Sequence, residues 1–291
     1  MTFLRKWWRE ITIVVLVAAN VSVWYLYYAH RPSNLLHVYF LDVGQGDSIL
    51  IDSPTHGRIL VDGGPNRRVL TELGKVLPFG DRRIDVVIES HPDADHITGL
   101  VDVLNAYDVG AFVEPGVESN NHIHVTLEDE VAEKKIPRLL ARRGMIIDFH
   151  DGAKLLVLFP NTDVTNWETN DASIVAKLAY GDESFLLTGD STKASEYKIM
   201  TLGKDILKST VLKAGHHGSK GSTSLLYAEA VAPEYAIISA GTDNTYGHPT
   251  KETLEVLKNV GAHILATESA GGLTGMDTIE FETDGTTILV K

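Results

Sequence analysis

Six residues, His91-Pro92-Asp93-Ala94-Asp95-His96, crowd two imidazoles and two carboxylates onto the end of an apolar run, IDVVIES. A short apolar run bounded by polar residues reads as a buried strand. So many ligand-type side chains at one strand exit are costly to hold together unless a positive charge lies among them. The fold must therefore close other ligands onto the same edge. In extended backbone, positions 91, 93 and 95 face one way while His96 opens a helix. That divides the segment into two pairs, His91 with Asp93 and Asp95 with His96, one pair for each of two cations. Capping of the helix by Asp93 or Asp95 accounts for one aspartate and for neither histidine.

Other strand ends supply what the first lacks. FLLTGD ends on Asp190, STVLKAG runs into His216 and His217, and EYAIISAG is followed by GTDNTYGHP with His248. Ligand sites in α/β sheets gather outside the carboxyl ends of neighbouring strands. RRVLTELGKVL, HITGLVDVLNAY, SEYKIMTLG and TKETLEVLKNVG have helical spacing between these strands, and residues 122 to 143 also read as helical. One internal echo stands out: DSILIDSPTHGRILVDGG resembles ASIVAKLAYGDESFLLTGD, each a pair of strands around a Gly-bearing turn. The pattern implies two sheets faced by helices, an α/β (α+β) architecture with a duplicated half. Asp62 either braces the ligand loop or shapes a turn, and Asp42, Gln45 and Asp47 either line the cleft or shape theirs.

The 291 residues contain no cysteine, so any metal is held by nitrogen and oxygen. A net charge of −13 argues against a broad nucleic-acid-binding face. It leaves room for a polyanionic substrate, because bound divalent cations reverse the local field.

The N-terminus is of another kind. Arg5, Lys6 and Arg9 precede Ile11 to Ala29, an uncharged stretch flanked by Trp7, Trp8, Trp24, Tyr25, Tyr27 and Tyr28. At about 1.5 Å per residue the stretch spans roughly 28 Å, close to a bilayer core. The positive charge before it orients the N-terminus to the cytoplasm and exports the rest. The expected organisation is a cytoplasmic stub and anchor at 1–30, a linker at 31–35 and a soluble domain at 36–291. A cleaved signal peptide, cut near Val17-Ala18-Ala19, is the competing reading.

HPDADH at 91–96 resembles the His-x-His-x-Asp-His signature of the metallo-β-lactamase superfamily, with Asp93 in place of the second histidine. FLDVGQGDSILI, NDASIVAKL, LLTGD, LKAGHHGSKGSTS and the late GHP, in that order, resemble the soluble hydrolase domain of ComEC competence proteins over residues 36 to 290. The resemblance implies a four-layer αββα sandwich behind a single transmembrane helix. It implies two divalent metal ions, manganese or zinc with magnesium as an option, held by His91, Asp93, Asp95, His96, Asp190 and His216, with Asp190 bridging. The superfamily's third histidine falls where Asn170-Asp171 stands, which makes Asp171 an altered ligand and the first site richer in oxygen. Harder ligands favour manganese or magnesium over zinc.

The activity implied is metal-dependent hydrolysis of a phosphodiester by a hydroxide trapped between the cations. Asp95, His217 and His248 are the expected catalytic groups, the two histidines as proton donors to the leaving oxygen. Ser219, Lys220 and Ser222 offer donors to a phosphate. ComEC proteins import DNA, so the expected partners are the membrane, a nucleic acid or phosphodiester substrate, and DNA-uptake machinery. The expected place is the cell membrane, with the catalytic domain on the extracytoplasmic side. Hydrolysis of a lactone, a lactam or a phosphorylated wall component, and a non-catalytic DNA-binding scaffold, are the alternatives.

Overall fold

The structure, a computed structural model, describes residues 2–29 and 33–291 and divides into two units, Met1–Ser33 and Asn34–Lys291. In the first unit α1 (Thr2–Ala29) is one unbroken helix. Its stretch Trp7–Trp24 is long and apolar enough to cross a membrane. Residues 30–32 of the expected anchor and linker lie outside the described residues, as do the side chains of Arg5, Lys6, Tyr25 and Tyr28 on which the orientation partly rests.

The second unit begins with an antiparallel meander of β1 (Leu36–Phe40), β2 (Ile49–Asp52) and β3 (Arg58–Val61). Parallel crossovers follow through α2 (Arg68–Val76), β4 (Arg83–Ile88), α3 (Ala94–Ala106), β5 (Asp108–Glu114), α4 (His122–Glu133) and β6 (Arg138–Leu140). A second sheet opens with antiparallel β7 (Ile146–Asp148), β8 (Lys154–Phe159), β9 (Val175–Tyr180) and β10 (Glu183–Leu187). It continues in parallel through β11 (Val211–Lys213), β12 (Tyr235–Ile238) and β13 (His263–Ala266). The helices α5 (Lys193–Gly203), α6 (Leu225–Val231) and α7 (Lys251–Asn259) alternate with those strands. Finally β14 (Ile279–Thr283) and β15 (Ile288–Val290) return to the first sheet, where β14 pairs with β1.

Alternation along the strands builds the layers. Val38, Phe40 and Ile51 of one sheet meet Leu155, Leu178 and Phe185 of the other in a shared core. Phe281 ties the two faces together, edge-on to Phe40, Phe185 and Tyr235 at 5.9, 5.7 and 5.5 Å. Each such buried aromatic contributes roughly 1.5–3 kcal/mol. The opposite faces are covered by helices: Leu73, Leu100 and Leu127 pack on Leu50, Leu60 and Val87, and Ile199, Tyr227 and Leu257 pack on Leu186, Leu212 and Ala236. The result is helix, sheet, sheet, helix.

The internal echo is structural. β2–β3–β4–β5 and β9–β10–β11–β12 each run antiparallel, parallel, parallel. In both copies the ligand loop leaves the third strand, so the two sets of ligands emerge at equivalent strand ends.

Two expectations are corrected. The stretch 122–143 is not one helix: α4 stops at Glu133, Lys135 takes a positive φ of 56°, and residues 138–140 pair with β5 as a parallel strand. The helix expected to open at His96 opens at Ala94, so Asp95 and His96 lie in its first turn. Asp93 occupies the N-cap position and its side chain makes no capping hydrogen bond.

Candidate metal centre

The site is assembled from four loops at the carboxyl ends of the strands. After β4, Ser90 leads into His91 and α3 carries Asp95 and His96. After β10 comes Asp190; after β11 come His216 and His217. Beneath them lies the loop Gly44-Gln45-Gly46-Asp47 between β1 and β2. Gly46 has φ +122°, and a Cβ there would lie 2.0 Å from the Asp95 carbonyl oxygen. The glycine lets this loop press against the first turn of α3, which brings Asp47 under the histidines.

Asp62, at φ 59° just after β3, sets the orientation of two rings at once. It accepts from the Ser90 backbone N–H at 2.8 Å and from Ser90 Oγ at 2.6 Å, and lies 2.8 Å from His96 Nδ1. Ser90 Oγ in turn is 2.9 Å from His91 Nδ1. Both imidazoles therefore present Nε2 to the interior of the site. Carboxylates that hold the far nitrogen of a metal-binding histidine fix its ring and tautomer in the same way. Of the two readings of Asp62, the brace is the one realised.

The donors that meet inside are closely spaced. His96 Nε2 lies 3.3 Å from His217 Nε2 and 3.3 Å from Asp190 Oδ1. His217 Nε2 lies 3.3 Å from Asp95 Oδ2 and 3.4 Å from Asp190 Oδ2. A tetrahedral cation with bonds of about 2.0–2.1 Å separates its donors by about 3.3–3.4 Å. These side chains fit a divalent cation. His91 Nε2 extends the group, 3.7 Å from Asp93 Oδ2 and 4.0 Å from Asp190 Oδ2. Among the described residues, His91 Nε2 and Asp190 Oδ1 are buried without a hydrogen-bond partner. Unpartnered atoms of this kind are costly unless something else satisfies them.

Electrostatics agree. Burial would raise the Asp190 carboxyl, but the neighbouring charges of His217 and His96 hold it well below the usual carboxylate range. Burial would lower the imidazoles, yet Asp190 with Asp62 raises His96, and Asp190 with Asp47 raises His217, well above the ordinary value. The pocket demands positive charge at this point, which protons or a cation can supply.

Asp47, His96, Asp190 and His217, all buried, offer ligand atoms within 4.8 Å of one another. Asp47 nevertheless faces the far side of the ring: its Oδ1 lies 3.4 Å from His217 Nδ1, while Oδ2 is 2.7 Å from Lys213 Nζ. It stands beside His217 as an ion-pair partner, without the hydrogen bond that Asp62 makes to His96. The sequence offers two readings of Asp47, cleft lining or turn, and Lys213 enters with the structure. The available signal was a lysine inside the short apolar strand STVLKAG, where a charge needs a buried partner.

The expected site residues fall into two groups. His91, Asp93, Asp95, His96, Asp190, His216, His217 and His248 come together, and six of them line a cleft of about 110 Å³ with Gln45 and Tyr246. His217, expected as a proton donor, is the buried member of its pair at 1% exposure. His216, expected as a ligand, is 31% exposed and 3.5 Å from Asp190 Oδ2. Its ring stands 5.4 Å from that of His248, whose imidazole is held below its usual range by burial and by His216 and His217.

The remaining residues do not line the cleft. The Asp171 carboxylate accepts from Thr192 at the start of α5. Ser222 is buried and donates to the Ser191 carbonyl, and Ser219 Oγ accepts from the Gly221 N–H. Lys220 is exposed, and its carbonyl accepts from Lys193. The Ser219 and Ser222 hydroxyls thus bond to backbone within and beside the loop after β11.

Comparison with known proteins agrees with the geometry. The pattern of the metallo-beta-lactamase superfamily matches residues 41–242. The chain is 32% identical over 253 residues to ComE operon protein 3 of Bacillus subtilis, covering 79% of this chain and 32% of that protein. It is 31% identical over 244 residues to competence protein ComA of Neisseria gonorrhoeae, covering 83% and 32%. The chain thus spans about a third of the length of these relatives. Among solved structures, the metallo hydrolase Igni18 of Ignicoccus hospitalis shares the fold, with a TM-score of 0.54, 16% identity and coverage of 85% of this chain and 99% of that one. The match over most of the folded unit, with the buried ligand cluster at its strand ends, makes this chain a member of the metallo-beta-lactamase superfamily and a metal-dependent hydrolase.

Proposed function

We propose that the chain is a membrane-anchored phosphodiesterase, a nuclease acting on the extracytoplasmic side and dependent on two divalent cations. Residues 1–30 form the stub and anchor, 31–35 the linker and 36–291 the hydrolase domain. The observation that supports this most is the Asp190 carboxylate, which faces four histidines, His91, His96, His216 and His217, within 3.3–4.0 Å. One carboxylate so surrounded is suited to bridging two cations. Asp95, His96 and His217 would hold one; His91 and Asp93 would hold the other, where the extra oxygen favours manganese or magnesium over zinc. Bound cations of this kind polarise a phosphate and supply an attacking water at neutral pH.

The open side of the cleft is left to His216 and His248, which are placed to give a proton to the leaving oxygen. This exchanges the roles that the sequence suggested for His216 and His217. At the rim Tyr246 is 71% exposed and lies face to face with the His248 ring at 5.9 Å. Its outer face suits a stacked base, and such stacking is indifferent to sequence. Similarity to proteins named for competence supports DNA as the substrate and an uptake machinery as the partner.

The test is a substrate panel with the full chain in detergent, reconstituted with Mn2+ or Zn2+. Single- and double-stranded DNA and bis(p-nitrophenyl) phosphate are expected to be cleaved, and a β-lactam and a lactone left intact. Faster turnover of lactam or lactone than of any phosphodiester overturns the substrate. No turnover of anything by the cation-loaded protein favours the scaffold.

Topology has its own measurement, helped by the absence of cysteine. Asp243→Cys, at an exposed position, is expected to react with a membrane-impermeant maleimide in intact cells. Labelling that requires cell lysis reverses the orientation.

A further inference from the structure

A second group of ligand-type side chains lies outside the cluster around Asp190. Ile88 and Val113 pair across β4 and β5 and point into the core between the sheets. Alternation turns the next residues, Glu89 and Glu114, to the opposite face, side by side at the ends of parallel strands. Like charges placed so are destabilising without compensation. The element covering them, α4, brings His124. Glu89, Glu114 and His124 are all buried, and each offers a ligand atom within 4.8 Å of the others.

Their hydrogen bonding is incomplete. Glu89 is fully buried, and neither of its oxygens has a hydrogen-bond partner among the described residues. His124 is 3% exposed, and neither of its ring nitrogens has one either. His124 Nε2 lies 3.3 Å from Glu89 Oε1 without the geometry of a hydrogen bond. Glu114 is engaged on one side by Arg138, which also reaches Glu128. Three carboxylates against one guanidinium leave two negative charges when His124 is neutral, the complement of one divalent cation. Above the group a groove of about 800 Å³ opens between Glu114, His124, Arg138 and Trp167, room for water to complete a coordination sphere.

We propose that Glu89, Glu114 and His124 form a third divalent-cation site, structural in role and distinct from the catalytic pair. Two carboxylates and one imidazole suit a borderline ion such as Mn2+, Fe2+ or Zn2+. The ion pins the first turn of α4 to the ends of β4 and β5. The same turn is joined to the ligand loop by Asn121 Nδ2, which donates to the Pro92 carbonyl at 3.3 Å. The third site thus fixes the backbone from which His91 and Asp93 project.

The experiment uses the full chain in detergent with Asp190→Ala and His217→Ala, which disables the catalytic cluster. Equilibrium dialysis against Mn2+ is read by electron paramagnetic resonance, and against Zn2+ by elemental analysis. About one equivalent is expected to remain, with hyperfine coupling to a single histidine nitrogen. Adding His124→Gln or Glu89→Gln should weaken it by more than the ~10–100-fold that an outer partner of a metal ligand is worth. No remaining equivalent, or one indifferent to both substitutions, overturns the proposal. Should the double variant not fold, anomalous scattering at the manganese edge from crystals of the unaltered chain decides: a peak between Glu89 and His124 supports the site, and none overturns it. This readout needs no turnover, so it stands or falls apart from the proposed nuclease activity.

Discussion

Asp190→Asn is expected to bind Mn2+ and Zn2+ more weakly by well over the ~10–100-fold that loss of an outer partner costs, and to lose hydrolysis with it. The amide keeps the volume of the side chain and removes its charge. That charge is the one feature common to both halves of the site, facing His96 through Oδ1 and His91, His216 and His217 through Oδ2. Without it neither half has a carboxylate in common with the other, and two cations brought close would repel undiminished. Calorimetric titration measures the affinity, and far-ultraviolet circular dichroism checks that the fold is kept. Unchanged affinity in a folded variant would remove Asp190 from the site.

Lys213→Met is expected to destabilise the folded unit by about 3–5 kcal/mol, the usual cost of leaving one partner of a buried ion pair behind. Lys213 is fully buried, with Nζ 2.7 Å from Asp47 Oδ2 and 3.0 Å from the Ala214 carbonyl. Burial alone would raise the Asp47 carboxyl, but Lys213 and then His217 bring it down to about 2. A depressed folded value stabilises the protein above the unfolded value of 3.8, and the contribution fades as pH falls towards 2. The deficit of Lys213→Met should therefore be full at neutral pH and shrink in acid, as followed by urea denaturation. Adding Asp47→Leu removes the stranded charge and should restore most of the stability. It cannot restore the negative charge beside His217 Nδ1, so cation affinity should stay low while the fold recovers. Recovery of both together would show that the Asp47 charge has no part in cation binding.

The parts of this protein that were legible in its sequence are those that local chemistry dictates. Side chains of the ligand type follow apolar runs at His91, Asp190 and His216, and the echo of DSILIDS…RILVDGG in ASIVAKL…FLLTGD corresponds to β2–β3 and β9–β10. Features fixed by distant partners were not. Residues 138–140 have the composition of a helix end, and only pairing with β5 makes them a strand. Asp47 and Lys213 are 166 positions apart, and nothing near either one announces the other. The difference in burial between His216 and His217 goes with two successive left-handed residues, with φ of 48° and 54°, a backbone choice that side-chain identity does not reveal. Ser222 looked like a phosphate donor because its hydroxyl acceptor, the Ser191 carbonyl, is 31 residues away.

The pairing of β1 with β14 joins Leu36–Phe40 to Ile279–Thr283. During synthesis β1 finds one of its two neighbours only after residue 279 has been made. Until then Val38 and Phe40 lack Phe281, and one backbone edge of β1 is unpaired. Contacts so far apart in sequence slow the final closure. Synthesis and maturation are thereby coupled: a product interrupted before residue 279 keeps an open edge on β1, exposed to proteases and self-association.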